Sequence, residues 1–273
     1  MTHMPRRIGL IGFGSIGQSI LRAWPDGDAV AHRLAAILVR PHQCEAARAL
    51  VPTAVHVTDA IDDFLTAGLD LVVEAAGHGA VLAHGERILR GGTDLMLLSI
   101  GSLAQEPVLQ RMRQAATDGG AQMLLPVGAI AGLDGLMALR QAGLSRVTYT
   151  STKPPASWRD TPAESNVDLD RLTQPTVVFS GTAREAATLY PKNANLAAAV
   201  ALAGLGFDET RVELVADPAA TGNSGRIDAH GVTSRLSVMV AGSSAPGNPK
   251  TSQIVGMSVL SALFNQASPI RFV

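Results

Sequence analysis

The sequence predicts an α/β fold, in which a doubly wound parallel sheet is followed by a second α+β domain. Two observations support this prediction. Through the first 125 residues, short apolar segments typical of buried strands alternate with segments that suit helices. Beyond Pro126 this alternation stops, and a helix, further strands and a proline-containing loop follow. Regular strand and helix alternation is typical of parallel sheets, because their crossover connections are usually helical.

The elements follow in order along the chain. The first domain is predicted to have strands at 7–11, 34–39, 69–74, 95–99 and 121–125, with helices at 15–24, 43–50, 60–66, 80–89 and 106–116. The second domain is predicted to have helices at 133–142 and 194–205, with strands at 146–151, 176–180, 211–216 and 235–241. A last helix is predicted over 249–264, with Asn248 as its cap and Pro249 in its first turn.

Composition excludes several classes of function. The chain has 273 residues, of which 47% are hydrophobic and 16% charged, so it can bury a large core. A net charge of -1 gives no broad attraction for nucleic acid or anionic lipid. The single cysteine, Cys44, cannot form an intrachain disulfide, and no Cys/His cluster predicts a metal site. The longest apolar stretches are too short to span a membrane, and a cytoplasmic location is expected.

A glycine-rich motif, Gly-Phe-Gly-Ser-Ile-Gly at 12–17, directly follows the first predicted strand. In this context Gly12 permits a tight turn, Gly14 lets a pyrophosphate approach the backbone, and Gly17 allows close packing of the helix. Ser15 and Ile16 would present helix-start amides to the phosphates. The motif therefore predicts a dinucleotide-binding, Rossmann-type domain over 1–125. A purely structural glycine turn is the alternative.

The residue after the second strand bears on cofactor choice. An acidic side chain there would bind a ribose 2′-hydroxyl, but this chain has Arg40. An arginine suits a 2′-phosphate or stacks on adenine, which favours NADP or the use of either NADP or NAD. A solvated surface arginine is the alternative.

Further strand ends carry glycine-rich or polar turns that we expect at the same edge of the sheet. The predicted lining of the nicotinamide ribose is Ala76, His78, Ser99 and Gly101. For His78, local hydrogen bonds near a helix start are an equally good explanation.

Several longer motifs together resemble the L-aspartate dehydrogenase family over nearly the whole chain. They are Glu-Ala-Ala-Gly-His at 74–78, Pro-Val-Gly-Ala-Ile-Ala-Gly-Leu-Asp at 126–134, Thr-Lys-Pro-Pro at 152–155, Gly-Thr-Ala-Arg-Glu-Ala at 181–186, Tyr-Pro-Lys-Asn-Ala-Asn at 190–195, Ala-Asp-Pro at 216–218 and Asn-Pro-Lys-Thr-Ser at 248–252. The resemblance implies oxidation of L-aspartate, a small dicarboxylic amino acid, with NAD or NADP. The products would be iminoaspartate and then oxaloacetate and ammonia, with reductive amination as the reverse. It also implies a link to NAD biosynthesis.

Site residues carry over from the family one by one. Ala129 and Asn195 match positions that contact the dinucleotide, although Asn195 also suits a helix cap. The family pattern Asn-x-His-x-Ile falls on 223–227, where Gly225 stands at the position of the catalytic acid/base histidine. Glycine has no side chain to exchange a proton. If Ile227 starts a strand, His230 faces the opposite side and is a poor substitute.

A dicarboxylate substrate requires cationic groups, and Lys153, Lys192 and Lys250 occur in these motifs. Lys153 ranks first, because Pro154 and Pro155 restrain its loop. The predicted enzyme is thus an aspartate dehydrogenase whose activity is impaired or altered by Gly225. The alternatives are another imine or oxo-acid reductase of this architecture, or a dinucleotide-binding sensor without catalysis.

The expected organisation has three segments. They are the dinucleotide-binding domain over 1–125, a substrate and dimerisation domain over 126–245, and a C-terminal helix over 246–273 that returns to the first domain. An exposed sheet face in the second domain makes a homodimer the expected assembly.

Overall fold

The computed structural model describes residues 5–25, 31–191, 193–245, 248–252 and 254–272. The chain divides into two compact units. Residues 1–99, 106–126 and 256–273 belong to unit 1, and residues 100–105 and 127–255 belong to unit 2.

Unit 1 is built on a six-stranded parallel sheet. Its strands are β1 (Arg6–Ile11), β2 (His32–Leu38), β3 (His56–Thr58), β4 (Leu71–Glu74), β5 (Asp94–Leu97) and β6 (Met123–Leu124). They lie in the order β3-β2-β1-β4-β5-β6, and every neighbouring pair is parallel. This order confirms the predicted doubly wound, Rossmann-type sheet.

Helices form the crossovers of unit 1. They are α1 (Ser15–Arg22), α2 (Cys44–Leu50), α3 (Ile61–Leu65), α4 (His78–Arg90) and α5 (Glu106–Gly119). Strands β2, β4 and β5 are buried along nearly their whole length, as continuous apolar strands of a parallel sheet should be.

Unit 2 has a mixed five-stranded sheet. Its helices and strands, in chain order, are α6 (Leu133–Gln141), β7 (Leu144–Lys153), α7 (Ala163–Asn166), β8 (Thr176–Thr182), α8 (Ala183–Leu189), α9 (Asn195–Ala203), β9 (Thr210–Ala216), β10 (Asn223–Gly231) and β11 (Arg235–Gly242). The strand order is β11-β10-β7-β9-β8, in which only β7 and β9 pair in parallel. The second α+β domain is confirmed.

One face of this sheet is buried, and we call it the inner face. Alternate residues of β7 and β10 point into it, because side chains of a strand alternate between the two faces. The inner-face residues of these two strands are Val147, Tyr149, Ser151, Lys153, Gly225, Ile227 and Ala229.

The C-terminal helix starts later than predicted, and the expected cap at Asn248 is wrong. Asn248–Ser252 forms a strand, β13, which pairs antiparallel with β12 (Ser244–Ala245). The hairpin gives the backbone of this segment hydrogen-bond partners that a helix start would leave unpaired. Helix α10 then runs over Ile254–Ala267.

Within unit 1, α10 is joined to the sheet by polar contacts at the amino-terminal ends of β1 and β2. His32 Nε2 donates to the Leu263 carbonyl oxygen at 2.6 Å. Arg6 Nη1 donates to Gln266 Oε1 at 3.0 Å. His32 is almost fully buried, and burial lowers its pKa below the usual value, with the Arg6 cation acting in the same direction against the Leu263 hydrogen bond.

This histidine should make unfolding pH-dependent. The unfolded chain takes up a proton on His32 near pH 6.5, whereas the folded chain takes it up only at lower pH, so stability falls as pH drops below about 6.5. His84, whose pKa burial also lowers, acts with the same sign. We expect the melting temperature to be level above pH 7 and to fall towards pH 5, less steeply in His32→Gln. Circular dichroism gives the melting temperature of wild type, His32→Gln and His84→Gln between pH 5 and pH 8. If the melting temperature of His32→Gln falls towards pH 5 as steeply as that of wild type, the prediction is contradicted.

Candidate functional site

In unit 1 the predicted cofactor-binding residues lie after the carboxyl ends of the strands. Residues 12–17 follow β1, Arg40 follows β2, Ala76 and His78 follow β4, and Ser99 follows β5. The strand order changes direction at β1, since β2 and β3 lie on one side and β4 to β6 on the other. Doubly wound sheets bind their ligands at such a switch point.

Each glycine of the turn after β1 meets a different constraint. Gly12 has φ +109°, and a Cβ there would lie 2.7 Å from the carbonyl oxygen of Ala75. A Cβ on Gly17 would overlap the Gly12 carbonyl oxygen, so only glycine lets α1 start this close to β1. Gly14 has no heavy atom within 4 Å of its Cβ position, so its missing side chain leaves open space. That space is what a pyrophosphate requires to reach the backbone, and the turn therefore fits a dinucleotide.

Helix α1 begins at Ser15 directly after this turn. Its N-cap, Gly14, supplies no side chain to the helix start. The first amides of a helix lack intrahelical acceptors and carry partial positive charge. Ser15 and Ile16, both partly exposed, thus stand in a helix turn suited to phosphate.

Arg40 is exposed two residues beyond β2. Its backbone N–H donates to Gln43 Oε1 at 3.2 Å, at the start of a short 3-10 helix, Pro41–Gln43. Across the part of the chain that the structure describes, its guanidinium has no hydrogen-bond or ion-pair partner. The anchored backbone and the available cation suit a 2′-phosphate.

Removing this cation should change cofactor preference. We expect Arg40→Ala to raise the KM for NADP about tenfold or more, the loss of one charge-assisted hydrogen bond, and to leave the KM for NAD nearly unchanged. Arg33→Ala is the matched control, because Arg33 is an exposed arginine near the other end of the same strand. Steady-state kinetics with both cofactors would measure this. An unchanged NADP preference would remove Arg40 from the site.

The turns after β4 and β5 are joined through one carboxylate. Glu74, the last residue of β4, is buried and accepts hydrogen bonds from the backbone N–H groups of Ala76 and Gly77 and from Ser99. His78 is the first residue of α4 and is partly exposed. The structure thus places Ala76 and Ser99 around Glu74, a residue that the sequence motif contains but that sequence analysis did not single out.

In unit 2 three predicted cofactor residues also come together. Gly101 lies in a buried 3-10 helix, Ile100–Ala104, and its N–H donates to Asn195 Oδ1 at 2.9 Å. Asn195 is the first residue of α9, and the N-cap of this helix is Ala194. Asn195 is therefore not the N-cap residue that the alternative required. Ala129 is buried in the loop before α6, and a Cβ on the adjacent Gly128 would lie 2.9 Å from Leu196 of α9.

Gly225 lies on the inner face of unit 2, among polar side chains of β7. It pairs with Ser151 in the strand register, and Lys153 is the next inner-face residue along β7. The Cβ position of Gly225 is 3.0 Å from the Tyr149 hydroxyl oxygen and 3.2 Å from Tyr149 Cε2. The two predicted catalytic positions, Gly225 and Lys153, are thus neighbours in the sheet.

Lys153 is a buried cation, with 6% of its surface exposed. Its Nζ lies 5.6 Å from the centroid of the Trp158 ring, a cation–π distance. Trp158 is held in turn by a hydrogen bond from its Nε1 to the Val215 carbonyl oxygen at 3.1 Å. A buried cation interacts more strongly with a carboxylate than an exposed one does, because burial lowers the local dielectric.

Tyr149 was missed by sequence analysis. It is fully buried, and burial raises the pKa of its hydroxyl, only partly offset by a hydrogen bond with Ser151. The hydroxyl therefore stays protonated at neutral pH and can act only as a neutral hydrogen-bonding group. The alternation of Tyr149, Ser151 and Lys153 along β7 was the available signal, because residues two apart share a face.

The remaining candidate residues of the sequence analysis are His230, Lys192 and Lys250. His230 lies on the face opposite Gly225, as the strand period requires. Lys192 and the side chain of Lys250 fall outside the described residues.

The described ranges contain no group of His, Cys, Asp or Glu arranged to bind a metal ion. Within the same ranges, no helix has the length and apolar character that crossing a bilayer requires.

Comparisons with known proteins agree with this geometry. Residues 134–266 match the family described as aspartate dehydrogenase, C-terminal, and residues 12–126 match the NAD binding domain of homoserine dehydrogenase. An L-aspartate dehydrogenase of Ralstonia pickettii is 41% identical over 264 residues, which cover 96% of this chain and 98% of that protein. This chain belongs to the aspartate dehydrogenase family.

Two further aspartate dehydrogenases are similar to this chain over nearly its full length. The L-aspartate dehydrogenase of Ruegeria pomeroyi is 42% identical over 97% of this chain and 94% of its own. The crystal structure of aspartate dehydrogenase from Thermotoga maritima superposes with a TM-score of 0.75 at 25% identity, covering 99% of this chain and 100% of that one. The cofactor of this aspartate dehydrogenase family member is NAD(P), and the glycine turn of unit 1 fits it.

Proposed function

We propose that this chain oxidises L-aspartate with NAD(P) to iminoaspartate, which water converts to oxaloacetate and ammonia. The reverse reductive amination is part of the same proposal. Similarity over nearly the full length to proteins named L-aspartate dehydrogenase carries it. The buried cation of Lys153, on the inner face beside Gly225, supports it, because a dicarboxylate requires a cationic partner.

The proposed cofactor residues fall into two sets. In unit 1 they are Gly12, Gly14, Ser15, Ile16, Gly17, Arg40, Ala76, His78 and Ser99, and in unit 2 they are Gly101, Ala129 and Asn195. When bound, NAD(P) supplies the hydride acceptor of the reaction. The turn after β1 would hold the pyrophosphate, and Arg40 would hold a 2′-phosphate.

The proposed substrate chemistry depends on residues of the inner face. Lys153 would bind a carboxylate of aspartate and so orient the substrate. Oxidation also requires the amino nitrogen to lose a proton, and Gly225 has no side chain to accept it. The Tyr149 hydroxyl stays neutral and cannot serve as a base. We therefore expect this proton to pass to water and turnover to be slow.

A nicotinamide absorbance assay tests this function. We expect slow, saturable reduction of NAD(P) with L-aspartate, and oxidation of NAD(P)H with oxaloacetate plus ammonia. Turnover with a different imine or oxo acid, but not with these substrates, would favour the alternative reductase. Gly225 itself favours a sensor without catalysis, and nucleotide binding without turnover on any such substrate would support that second candidate. The homodimer and the cytoplasmic location stay predictions.

Loss of the Lys153 cation should weaken substrate binding. We expect Lys153→Met, which keeps most of the buried volume, to raise the KM for aspartate by roughly 10- to 100-fold, the value of a hydrogen bond to a charged group. Arg146→Met is the control, since it removes an exposed cation from the same strand. A lower melting temperature with unchanged KM would assign Lys153 a structural role instead.

A further inference from the structure

We propose that Glu74 is a positioning residue for NAD(P) binding, which fixes the turn after β4 against the glycine-rich turn after β1. This inference rests on the proposed cofactor site at the carboxyl edge of the unit 1 sheet. Glu74 itself is 1% exposed, so it acts through the backbone that it holds and not by touching the cofactor.

Both oxygens of this carboxylate are used. Oε1 accepts from the backbone N–H groups of Ala76 and Gly77, each at 2.7 Å, and from the Ser99 hydroxyl at 3.0 Å. Oε2 accepts from the Ser99 backbone N–H at 3.0 Å. Within the described ranges the Glu74 carboxylate forms no ion pair. Four donors, two from the turn after β4 and two from Ser99 after β5, therefore satisfy this buried group.

The turn that Glu74 holds is in contact with the glycine-rich turn. The space that a Cβ on Gly12 would fill is bordered by the Ala75 carbonyl oxygen at 2.7 Å and the Ala76 nitrogen at 2.9 Å. Any movement of residues 75–77 therefore moves the surface against which the first glycine packs. Gly77 adopts φ +113° and has open space at its Cβ position, so its conformation depends on backbone hydrogen bonds and not on side-chain packing.

The arrangement requires a carboxylate. A glutamine amide has one acceptor oxygen and one NH₂ donor in the same volume. If its oxygen faced Ala76 and Gly77, its NH₂ would face the Ser99 N–H, and two donors would oppose each other. The isosteric change thus disturbs both turns without creating a cavity.

The test compares Glu74→Gln with Asp94→Asn by isothermal titration of NADPH and NADH. Asp94 is the matched control. Its carboxylate accepts hydrogen bonds from Arg6 and from the Gln122 N–H, but it lies at the amino-terminal end of β5, away from the carboxyl ends of the strands. We expect Glu74→Gln to raise the cofactor Kd at least about tenfold, since hydrogen bonds to a charged group contribute on this scale. Asp94→Asn should lower the melting temperature and keep the wild-type Kd.

The outcomes separate this inference from the proposed function. In Glu74→Gln, the KM for aspartate at saturating cofactor should stay within twofold of wild type, which a distortion that reached the inner face of unit 2 would not allow. A wild-type Kd in Glu74→Gln overturns the inference, whatever its melting temperature. If that variant does not fold, Glu74→Asp decides, because it keeps the carboxylate but shortens the side chain by one methylene and so pulls both oxygens away from their four donors. We expect its Kd to rise a few-fold, and an unchanged Kd overturns the inference. Wild-type protein that binds nucleotide but leaves aspartate unoxidised refutes only the proposed reaction.

Discussion

The substitution Gly225→His should raise the rate of L-aspartate oxidation by about 10²- to 10⁴-fold, the usual contribution of a positioned general acid or base. Position 225 faces the same buried surface as Lys153, so an imidazole there would enter the proposed substrate site. Its pKa near neutrality suits proton exchange with the amino nitrogen.

Tyr149 limits how well the new side chain fits. The added Cβ would lie 3.0 Å from the Tyr149 hydroxyl, so the ring must shift by a few tenths of an ångström in a closely packed core. We therefore expect Gly225→His alone to lower the melting temperature and to reach only part of the gain. Adding Tyr149→Phe removes the nearest atom and should relieve part of the steric cost and increase turnover further, although Cε2 stays 3.2 Å from the Cβ position and the hydrogen bond with Ser151 is lost.

Gly225→Ala is the control for this experiment, because it adds the Cβ without an imidazole. It should reproduce the steric effect on melting temperature and leave turnover at the wild-type level. Stopped-flow or steady-state absorbance would measure all four proteins. If Gly225→His, with and without Tyr149→Phe, is no faster than Gly225→Ala, position 225 is not the acid/base position of this enzyme.

Gly14→Ala should weaken NAD(P) binding by about 10- to 100-fold with almost no change in the stability of the ligand-free protein. The Cβ position of Gly14 has no heavy atom within 4 Å, so a methyl group there strains nothing in the protein. It would occupy the space through which a pyrophosphate reaches the backbone. Titration calorimetry gives the Kd, and thermal unfolding without cofactor gives the stability.

Gly17→Ala, in contrast to Gly14→Ala, should destabilise the ligand-free protein. Its Cβ would overlap the Gly12 carbonyl oxygen, so α1 must move away from β1 and the fold itself loses stability. We expect a clearly lower melting temperature, with weaker cofactor binding as a consequence. Equal cofactor affinity in Gly14→Ala and wild type would show that the pyrophosphate lies elsewhere.

Sequence alone could predict the parallel sheet, because buried parallel strands are continuous apolar runs and four of them end in recognisable turns. It missed β3, His56–Thr58, since three residues show no periodicity. It did not assign β10, Asn223–Gly231, and only considered a strand starting at Ile227, since Asn223, Ser224 and Gly225 are residue types with low strand propensity. Their strand conformation comes from pairing with both β7 and β11, which local propensity does not report.

The same limit applies to the site. The close packing at Gly17 could be predicted, since it involves the Gly12 carbonyl, which is close by in sequence, whereas the contact of Gly12 with Ala75 could not. The positions of Tyr149 beside Gly225 and of Ser99 beside Glu74 depend on strand register between distant segments. Such contacts are fixed by tertiary structure, and a single sequence carries no direct record of them.

The division of the chain has a consequence for protein engineering. Residues 100–105 belong to unit 2 although unit 1 segments flank them on both sides. They provide the Gly101 N–H for Asn195 and the Ala104 carbonyl for Arg184. A fragment cut at residue 127 would therefore lose these partners and uncover the apolar surface of α9. Chimaeras that combine the two units of different relatives need to transplant this hexapeptide together with the rest of unit 2.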